Sequence, residues 1–291
     1  MSALKYHARF AAFAVIVWVS GMPVTAQQTF TGRLSDSACA ASHQPKAAAD
    51  SLTDRECLLA CIKTLAKYVL VDQDHNVLQI ENQDAMGLPL YAGRPVRIIG
   101  ERKGDTIVMT KVEAIPAHLH IGHVMTNWRD TPGSRGFLPV AVDEARVAAL
   151  HAGLAAKATS LDDIKTHAGH VLHALDPSME PKGPGAGYGV KKAVEGALEH
   201  LTLAAKSDGA TVTVTTYTIR STAPLMNVLK YVDQAGLVVQ RIRAATDTAE
   251  ALRLAADLAA WTQRISDDGL QPAQTSMHLI LKAEGLQGAP R

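Results

Sequence analysis

The hydrophobic pattern of the chain changes near residue 117, and this change limits the fold more than any other feature of the sequence. Before it, short alternating runs such as Tyr68–Asp72 and Val77–Glu81 are typical of β-strands. After residue 140, apolar residues recur at the three- and four-residue spacing of amphipathic helices. A chain of 291 residues has room for about two domains. We therefore predict an α+β protein with a small β-rich domain at 27–117, a connector at 118–140 and an all-α domain at 141–291.

The small domain is expected to hold five short strands and one helix. Two hairpins are predicted at 68–81 and 93–115, after a first strand, and Thr53 or Asp54 can cap a helix that runs to about Lys67. This order is compatible with a small OB-like β-barrel. Barrels of this type often bind nucleic acid, but the formal net charge is only +1 and no basic stripe carries interleaved aromatics. We therefore expect no nucleic-acid partner.

The second domain is expected to be an antiparallel helical bundle with short loops. The predicted helices cover about 141–158, 161–175, 189–207, 225–245, 247–266 and 272–284. Thr211–Arg220 is ambiguous, because its alternating β-branched residues favour a strand. A lone strand in a helical domain would have no pairing partner, so we favour a helix kinked near Pro224.

The first 26 residues have the features of a secretory signal peptide. Lys5 and Arg9 give a positively charged start, and Phe10–Val19 is a short apolar run. The small residues at 24–26 form a cleavage site. An uncleaved anchor is the alternative, although the apolar run is short for a spanning helix. We predict a periplasmic or secreted protein with no membrane span after removal of the signal peptide.

All three cysteines lie between residues 31 and 61, together with His43. Cys57 and Cys61 are one turn apart on the predicted helix and can both face the preceding loop, which carries Cys39 and His43. Two sulfurs from a helix, with a sulfur and a nitrogen from a loop, can complete a tetrahedral zinc site, and thiolates also suit Cu(I). The stretch therefore predicts a zinc or copper site formed by these four residues.

A disulfide is the competing interpretation of the same cysteines. In an oxidising compartment Cys39 could pair with Cys57 or with Cys61 and attach the loop to the helix. A Cys57–Cys61 bond is disfavoured, since Cβ atoms on successive helical turns run parallel. Unpaired buried thiols are the third alternative, and the sequence leaves all three open.

Residues 31–115 resemble small exported bacterial domains of unassigned activity. Those domains share a TGxxSDxxCxxxH opening, a CxxxC helix, a YVLV-type strand and a late GxxVxxxG strand. The matching residues are Thr31, Gly32, Ser35, Asp36, Cys39, His43, Cys57 and Cys61. The resemblance covers under a third of the chain and implies an exported domain, but the family has no assigned chemistry to transfer.

The helical domain has its own candidate ligands. On the first predicted helix the expected core stripe is Val147, Leu150 and Leu154. Four polar side chains flank such stripes on three helices: Glu144, His151, His167 and His200. We expect these four to meet inside the bundle as a cofactor- or metal-binding set. Histidines bonded to the backbone or to one another are the alternative.

Other histidines are given no role by the pattern. His170 and His173 point away from the expected core stripe of their helix, so solvent exposure is predicted. His120 and His123 fall in the expected connector, and their HxxH spacing lacks the glutamate of an HExxH zinc motif. None of these four is therefore a predicted ligand.

No complete catalytic arrangement is visible in the sequence, neither a GxSxG elbow nor a Ser/His/Asp order. We therefore predict an exported, non-catalytic metal- or cofactor-binding protein. The first alternative is a disulfide-stapled structural module whose helical face binds a protein partner or a second copy. The second is an enzyme that uses Glu144, His151 and His167 for acid–base or metal chemistry.

Overall fold

A computed structural model of the protein describes residues 27–40 and 53–286. It shows an α+β chain in which a five-stranded sheet precedes a helical region. Within those ranges, no helix combines the length and the apolar character that crossing a membrane requires. The predicted signal peptide at 1–26 and the predicted ligand His43 lie outside the described residues.

The strands pair in the order β1-β2-β3-β5-β4, and β4 also pairs with β1. Their bounds are β1 (Gln28–Asp36), β2 (Tyr68–Val71), β3 (Val77–Ile80), β4 (Pro95–Lys103) and β5 (Thr106–Ala114). The predicted hairpins are confirmed as the antiparallel pairs β2–β3 and β4–β5, and β3 runs parallel to β5. Gly32 is required where β1 crosses β2, because a Cβ atom there would lie 2.4 Å from the carbonyl oxygen of Val71.

Helix α1 (Asp54–Lys63) begins at a capping box, as its sequence favours. The Thr53 hydroxyl accepts a hydrogen bond from the Glu56 N–H, and the Glu56 carboxylate accepts one from the Thr53 N–H. Leu58 is fully buried in the core of the sheet. This anchor fixes the rotation of α1 and so fixes where Cys57 and Cys61 lie.

The remaining helices are α2 (Gly87–Tyr91), α3 (Pro116–Met125), α4 (Phe137–Ala155), α5 (Leu161–Leu175), α6 (Val190–Lys206), α7 (Val212–Ala244), α8 (Thr248–Arg264) and α9 (Gln271–Ala283). Most of α3 lies within the predicted connector at 118–140, so the first part of that segment is helical. Pro116 occupies the first turn of α3, where a missing N–H costs nothing, and Ile121 and Val124 are fully buried. The apolar pattern of α3 covers only ten residues and is followed directly by turn residues, so the sequence does not mark it clearly as a helix.

From Ala141 onward, the buried apolar face of α4 is a row of alanines, whereas Phe137, Leu138 and Val140 fill its first turn. The members of the row are Ala141, Ala145, Ala148, Ala152 and Ala155. The predicted core stripe is therefore wrong: Leu150 is 61% exposed and Leu154 40% exposed. Alanine side chains let neighbouring helices approach closely, so a row of small residues forms the core here in place of the larger apolar ones.

The helical interpretation of Thr211–Arg220 is confirmed, since α7 runs through it and past Pro224. Thr215, Ser221 and Thr222 each donate a side-chain hydroxyl to the carbonyl oxygen four residues earlier. These bonds satisfy the polar groups of a helix that is poor in strong helix formers. The β-branched residues therefore fit the helix without a strand partner.

Candidate metal centres

Three histidines from two helices converge at what we call the α3–α6 site. His120 and His123 lie on neighbouring positions of α3, three residues apart, and His200 lies on α6. The His200 Nδ1 atom is 3.0 Å from the Nδ1 of His120 and 3.4 Å from that of His123. One ligand atom from each residue can therefore reach a common point.

Aromatic side chains enclose the α3–α6 site. His200 is 8% exposed, and its ring stacks on Phe137 with centroids 5.4 Å apart. Trp128 lies 4.6 Å from the His123 ring and 4.9 Å from the His200 ring. Gly196, one turn before His200, leaves room for this packing, since a Cβ atom there would lie 2.4 Å from the Phe137 ring. The site is thus held by a rigid apolar wall.

A second set, the α4–α5 site, repeats the same plan. His167 and His170 lie three residues apart on α5, and His151 lies on the neighbouring helix α4. The His151 Nδ1 atom is 3.1 Å from the Nδ1 of His167 and 3.4 Å from that of His170. All three side chains are half-buried.

Burial favours the neutral imidazole, which is the form that binds metals, at five of the six histidines of the two sites. Burial lowers the pKa of His123 to about 4, with further contributions from the charges of His200 and His120. Burial likewise lowers the pKa of His120 and His200 at this site, and of His151 and His170 at the other. At neutral pH, protons therefore compete weakly for these nitrogens.

The spacing of the nitrogens suits a metal ion. Zn–N bonds of about 2.0–2.1 Å in a tetrahedral site hold nitrogens roughly 3.3–3.4 Å apart, and the Nδ1 pairs here span 3.0 to 3.4 Å. A hydrogen bond explains only one contact at each site, because a neutral Nδ1 carries either one proton or one lone pair. His200 and His151 each have two such contacts, an arrangement that could hold one cation among the three nitrogens.

The three cysteines form a separate group beside the sheet. Their sulfurs are unbonded, with Cys39 Sγ 3.9 Å from Cys61 Sγ, and the three Sγ atoms lie within 4.8 Å of one another. Zn–S bonds of about 2.3 Å place tetrahedral sulfurs roughly 3.8 Å apart. The Asp36 carboxylate positions the loop by accepting the N–H groups of Ala38 and Cys39.

The surroundings of Cys57 and Cys61 favour the protonated thiol. Burial raises the pKa of Cys61 to about 12, and the charges of Asp36 and Cys39 add to the effect. Burial and Cys39 also raise the pKa of Cys57. A metal ion binding here would have to displace these protons, which makes uptake dependent on pH.

Glu144 does not join the predicted set. It is 1% exposed, and its Oε1 accepts the N–H groups of Tyr188 and Gly189 at 2.9 and 3.3 Å. It lies two turns, about 10 Å, before His151 along α4. A Cβ atom at Gly185, where φ is +116°, would lie 2.5 Å from Glu144 Oε2. Glu144 therefore anchors the glycine-rich loop between α5 and α6.

The four predicted ligands therefore do not meet at one point. His151 and His167 are neighbours, whereas His200 belongs to the α3–α6 site. His170, predicted to face solvent, is a member of the α4–α5 site. His173 is 5% exposed and its ring bonds the Glu180 carbonyl oxygen at 2.8 Å, because α5 is buried on two sides.

One sequence signal could have found both histidine sites. The spacing HxxH occurs at His120/His123 and again at His167/His170, and on a helix it puts both side chains on one face. The first pair lies in the predicted connector at 118–140. Of the second pair, His167 is a predicted ligand, whereas His170 falls outside the predicted core stripe of its helix.

No family model, curated protein sequence or solved structure matches the chain.

Proposed function

We propose that this is an exported metal-binding protein that holds zinc or copper ions and performs no chemistry on a substrate. The observation that carries the proposal is the repeated ligand plan. At two separate places an HxxH pair on one helix meets a histidine from a neighbouring helix, with Nδ1 atoms 3.0 to 3.4 Å apart. A single histidine cluster is easily an accident of packing. Two with the same spacing favour a ligand function.

Separation of the sites favours independent binding. Phe137, at the start of α4, packs on His200, and His151 lies fourteen residues further along the same helix. At 1.5 Å per residue these points are about 21 Å apart. Two cations at that distance interact weakly through a medium of high effective dielectric, so each site is expected to fill on its own.

The donor types narrow the choice of metal. Imidazole nitrogens suit zinc and Cu(II), and three thiols suit zinc and Cu(I). Part of the proposal is that His43 supplies the fourth ligand to Cys39, Cys57 and Cys61, as its spacing from Cys39 favours. We also propose that the closed order of strand pairing is an OB-like barrel and that the helical region is an antiparallel bundle.

A second candidate function is a structural module with a disulfide in place of the sulfur site. Cys39 Sγ and Cys61 Sγ are 3.9 Å apart, so a small movement would bring them to the bonding distance of about 2.05 Å. In that case the histidine clusters would be hydrogen-bonded core groups. The two candidates differ in the mass of the exported protein and in its metal content.

Metal stoichiometry separates these candidates. The protein is purified from a periplasm, loaded with zinc, desalted and measured by elemental analysis. We expect about one equivalent per site, with one equivalent lost in each of His120→Ala, His151→Ala and Cys57→Ser. His278→Ala is the matched control, because His278 is exposed and belongs to none of the three groups.

Two results would contradict the proposal. One is a protein without stoichiometric zinc or copper after loading. The other is a metal content that the three variants leave at the level of the His278→Ala control. A third result would instead support the disulfide at Cys39. It is a mass two hydrogens below that of the reduced protein, with metal missing from the cysteine site but present at both histidine sites.

A further inference from the structure

A cleft of about 480 Å³ lies between the five-stranded unit and the helical region. We call it the arginine cleft, because Arg33, Arg55 and Arg94 line one side, while His118 and His123 of α3 line the other. Its volume falls within the range of small-molecule sites, about 300–1,000 Å³. The cleft is a separate feature from the metal centres, but it shares His123 with the α3–α6 site.

Arg33 serves the structure of the cleft. Its guanidinium donates to the carbonyl oxygens of Gly93 and Gly285 at 2.7 and 2.9 Å, and it lies 3.5 Å from the Asp54 carboxylate. Since Gly285 follows α9, these bonds join the two walls. Arg33 therefore links the two walls of the cleft and has little capacity left for a ligand.

The other two arginines retain capacity. One nitrogen of Arg55 contacts the carbonyl oxygens of Leu90 and Ala92 at 3.2 and 3.4 Å, which leaves the rest of its fork available. Arg94 is exposed, and within residues 27–40 and 53–286 its guanidinium has no hydrogen-bond or ion-pair partner. Guanidinium groups bind carboxylate and phosphate oxygens in a forked geometry.

The remainder of the lining is largely apolar. Pro95, Leu119, Leu281 and Leu286 contribute aliphatic surface. A ligand that satisfies the whole cleft needs an oxyanion at one end and an apolar body at the other. Among the described residues that line the cleft, Asp54 is the only acidic one, and its contact with Arg33 offsets its charge.

We propose that the arginine cleft binds a small organic anion, with its carboxylate or phosphate group held by Arg94 and Arg55 and its apolar body against Leu119 and Leu281. Because the His123 ring lines the cleft and also belongs to the α3–α6 site, a cation bound there strengthens the binding of the anion. The effect of the cation rests on the proposed function, whereas the binding of the anion does not.

Calorimetric titration with simple probes tests the proposal. Hexanoate and hexyl phosphate carry the two oxyanions on the same apolar chain, and hexanol is the neutral control. In metal-free protein we expect saturable binding of at least one of the anions, about ten- to hundredfold weaker in Arg94→Gln, and no measurable binding of hexanol. Arg253→Gln, an exposed arginine on α8 that does not line the cleft, is expected to bind as the parent does.

A second titration, after zinc loading, tests the link to the metal. We expect zinc to tighten anion binding by about fivefold, and His123→Ala to abolish that gain. If the protein binds no zinc, the proposed function fails while the metal-free arm still decides the cleft. The proposal of an anion site would be overturned if the anions bound neither the metal-free nor the zinc-loaded protein. It would also be overturned if they bound Arg94→Gln as tightly as Arg253→Gln. If zinc loading left the affinity for the anion unchanged, the proposed coupling between the metal and the anion would be overturned.

Discussion

The two histidine sites share a ligand plan but differ in their surroundings. Each takes an HxxH pair from one helix and a third histidine from a neighbour. At the α3–α6 site His200 is almost fully buried against Phe137 and Trp128, whereas all three residues of the α4–α5 site are half-buried. The comparison teaches that helical spacing supplies the ligand geometry, while the packing around it sets how rigid and how desolvated a site becomes.

The largest expected effect comes from removing the aromatic wall. Phe137→Ala leaves a cavity between α4 and α6 and should lower the free energy of unfolding by about 3–5 kcal/mol, measured by chemical denaturation. Leu150→Ala on the same helix is the matched control, and because Leu150 is 61% exposed the change should stay within about 0.5 kcal/mol. Equal effects of the two variants would mean that the apolar wall is not what distinguishes the sites.

Zinc should stabilise the two sites separately. At a concentration one hundred times the dissociation constant, one site adds about 2.7 kcal/mol to the free energy of unfolding. In a Cys57→Ser background, His151→Ala and His200→Ala should each remove one such increment, and His278→Ala neither. An increment that survives in the His151→Ala/His200→Ala double variant would show that zinc binds elsewhere.

A smaller effect should appear where α3 is attached to α9. His118 Nε2 lies 2.9 Å from the Glu284 carboxylate, which also accepts the Thr211 hydroxyl. Burial alone would raise the pKa of Glu284, but the bonds from His118 and Thr211 outweigh it and the net pKa is lowered. A carboxyl with a lowered folded-state pKa stabilises the fold fully above its unfolded value and loses that contribution as pH falls through the folded value.

Glu284→Gln should therefore cost about 1–2 kcal/mol at neutral pH, and the difference should shrink below about pH 4. Denaturation at several pH values measures it, with the exposed Glu195→Gln as control. A cost that is the same at acidic and neutral pH would mean that the Glu284 charge does not matter. The His118–Glu284 contact involves α3 and does not touch the α4–α5 site. Glu284→Gln should therefore leave the packing of α4 against α5 unchanged in the metal-free protein.

The sequence predicted the elements of the fold better than it predicted its sites. Turn residues and β-alternation located the hairpins, and the pattern of 161–175 gave α5, because these signals are local. The α4–α5 site is predicted only in part: His151 and His167 are candidates in the sequence, whereas His170 falls outside the predicted core stripe of α5. On α4, the buried apolar residues after Val140 are alanines, so a prediction based on the larger Leu150 and Leu154 places the core stripe on an exposed side.

Tertiary packing decides the remaining differences. His120 and His123 are ligand candidates only once α3 is a helix against α6, and ten residues between breaks give little periodic signal. Glu144 lay near the predicted stripe, yet the glycine-rich loop supplies its N–H partners, and no local pattern shows that loop returning to α4. Such contacts between distant segments need the three-dimensional arrangement.

The central claim is that both histidine sites bind metal, and diffraction at the zinc absorption edge tests it most directly. Crystals of the protein grown with zinc should give one anomalous peak at each site, about 2.0–2.2 Å from the three converging nitrogens. A third peak is expected about 2.3 Å from the sulfurs of Cys39, Cys57 and Cys61. Zinc-treated crystals with no peak at either the α3–α6 or the α4–α5 site would contradict the account.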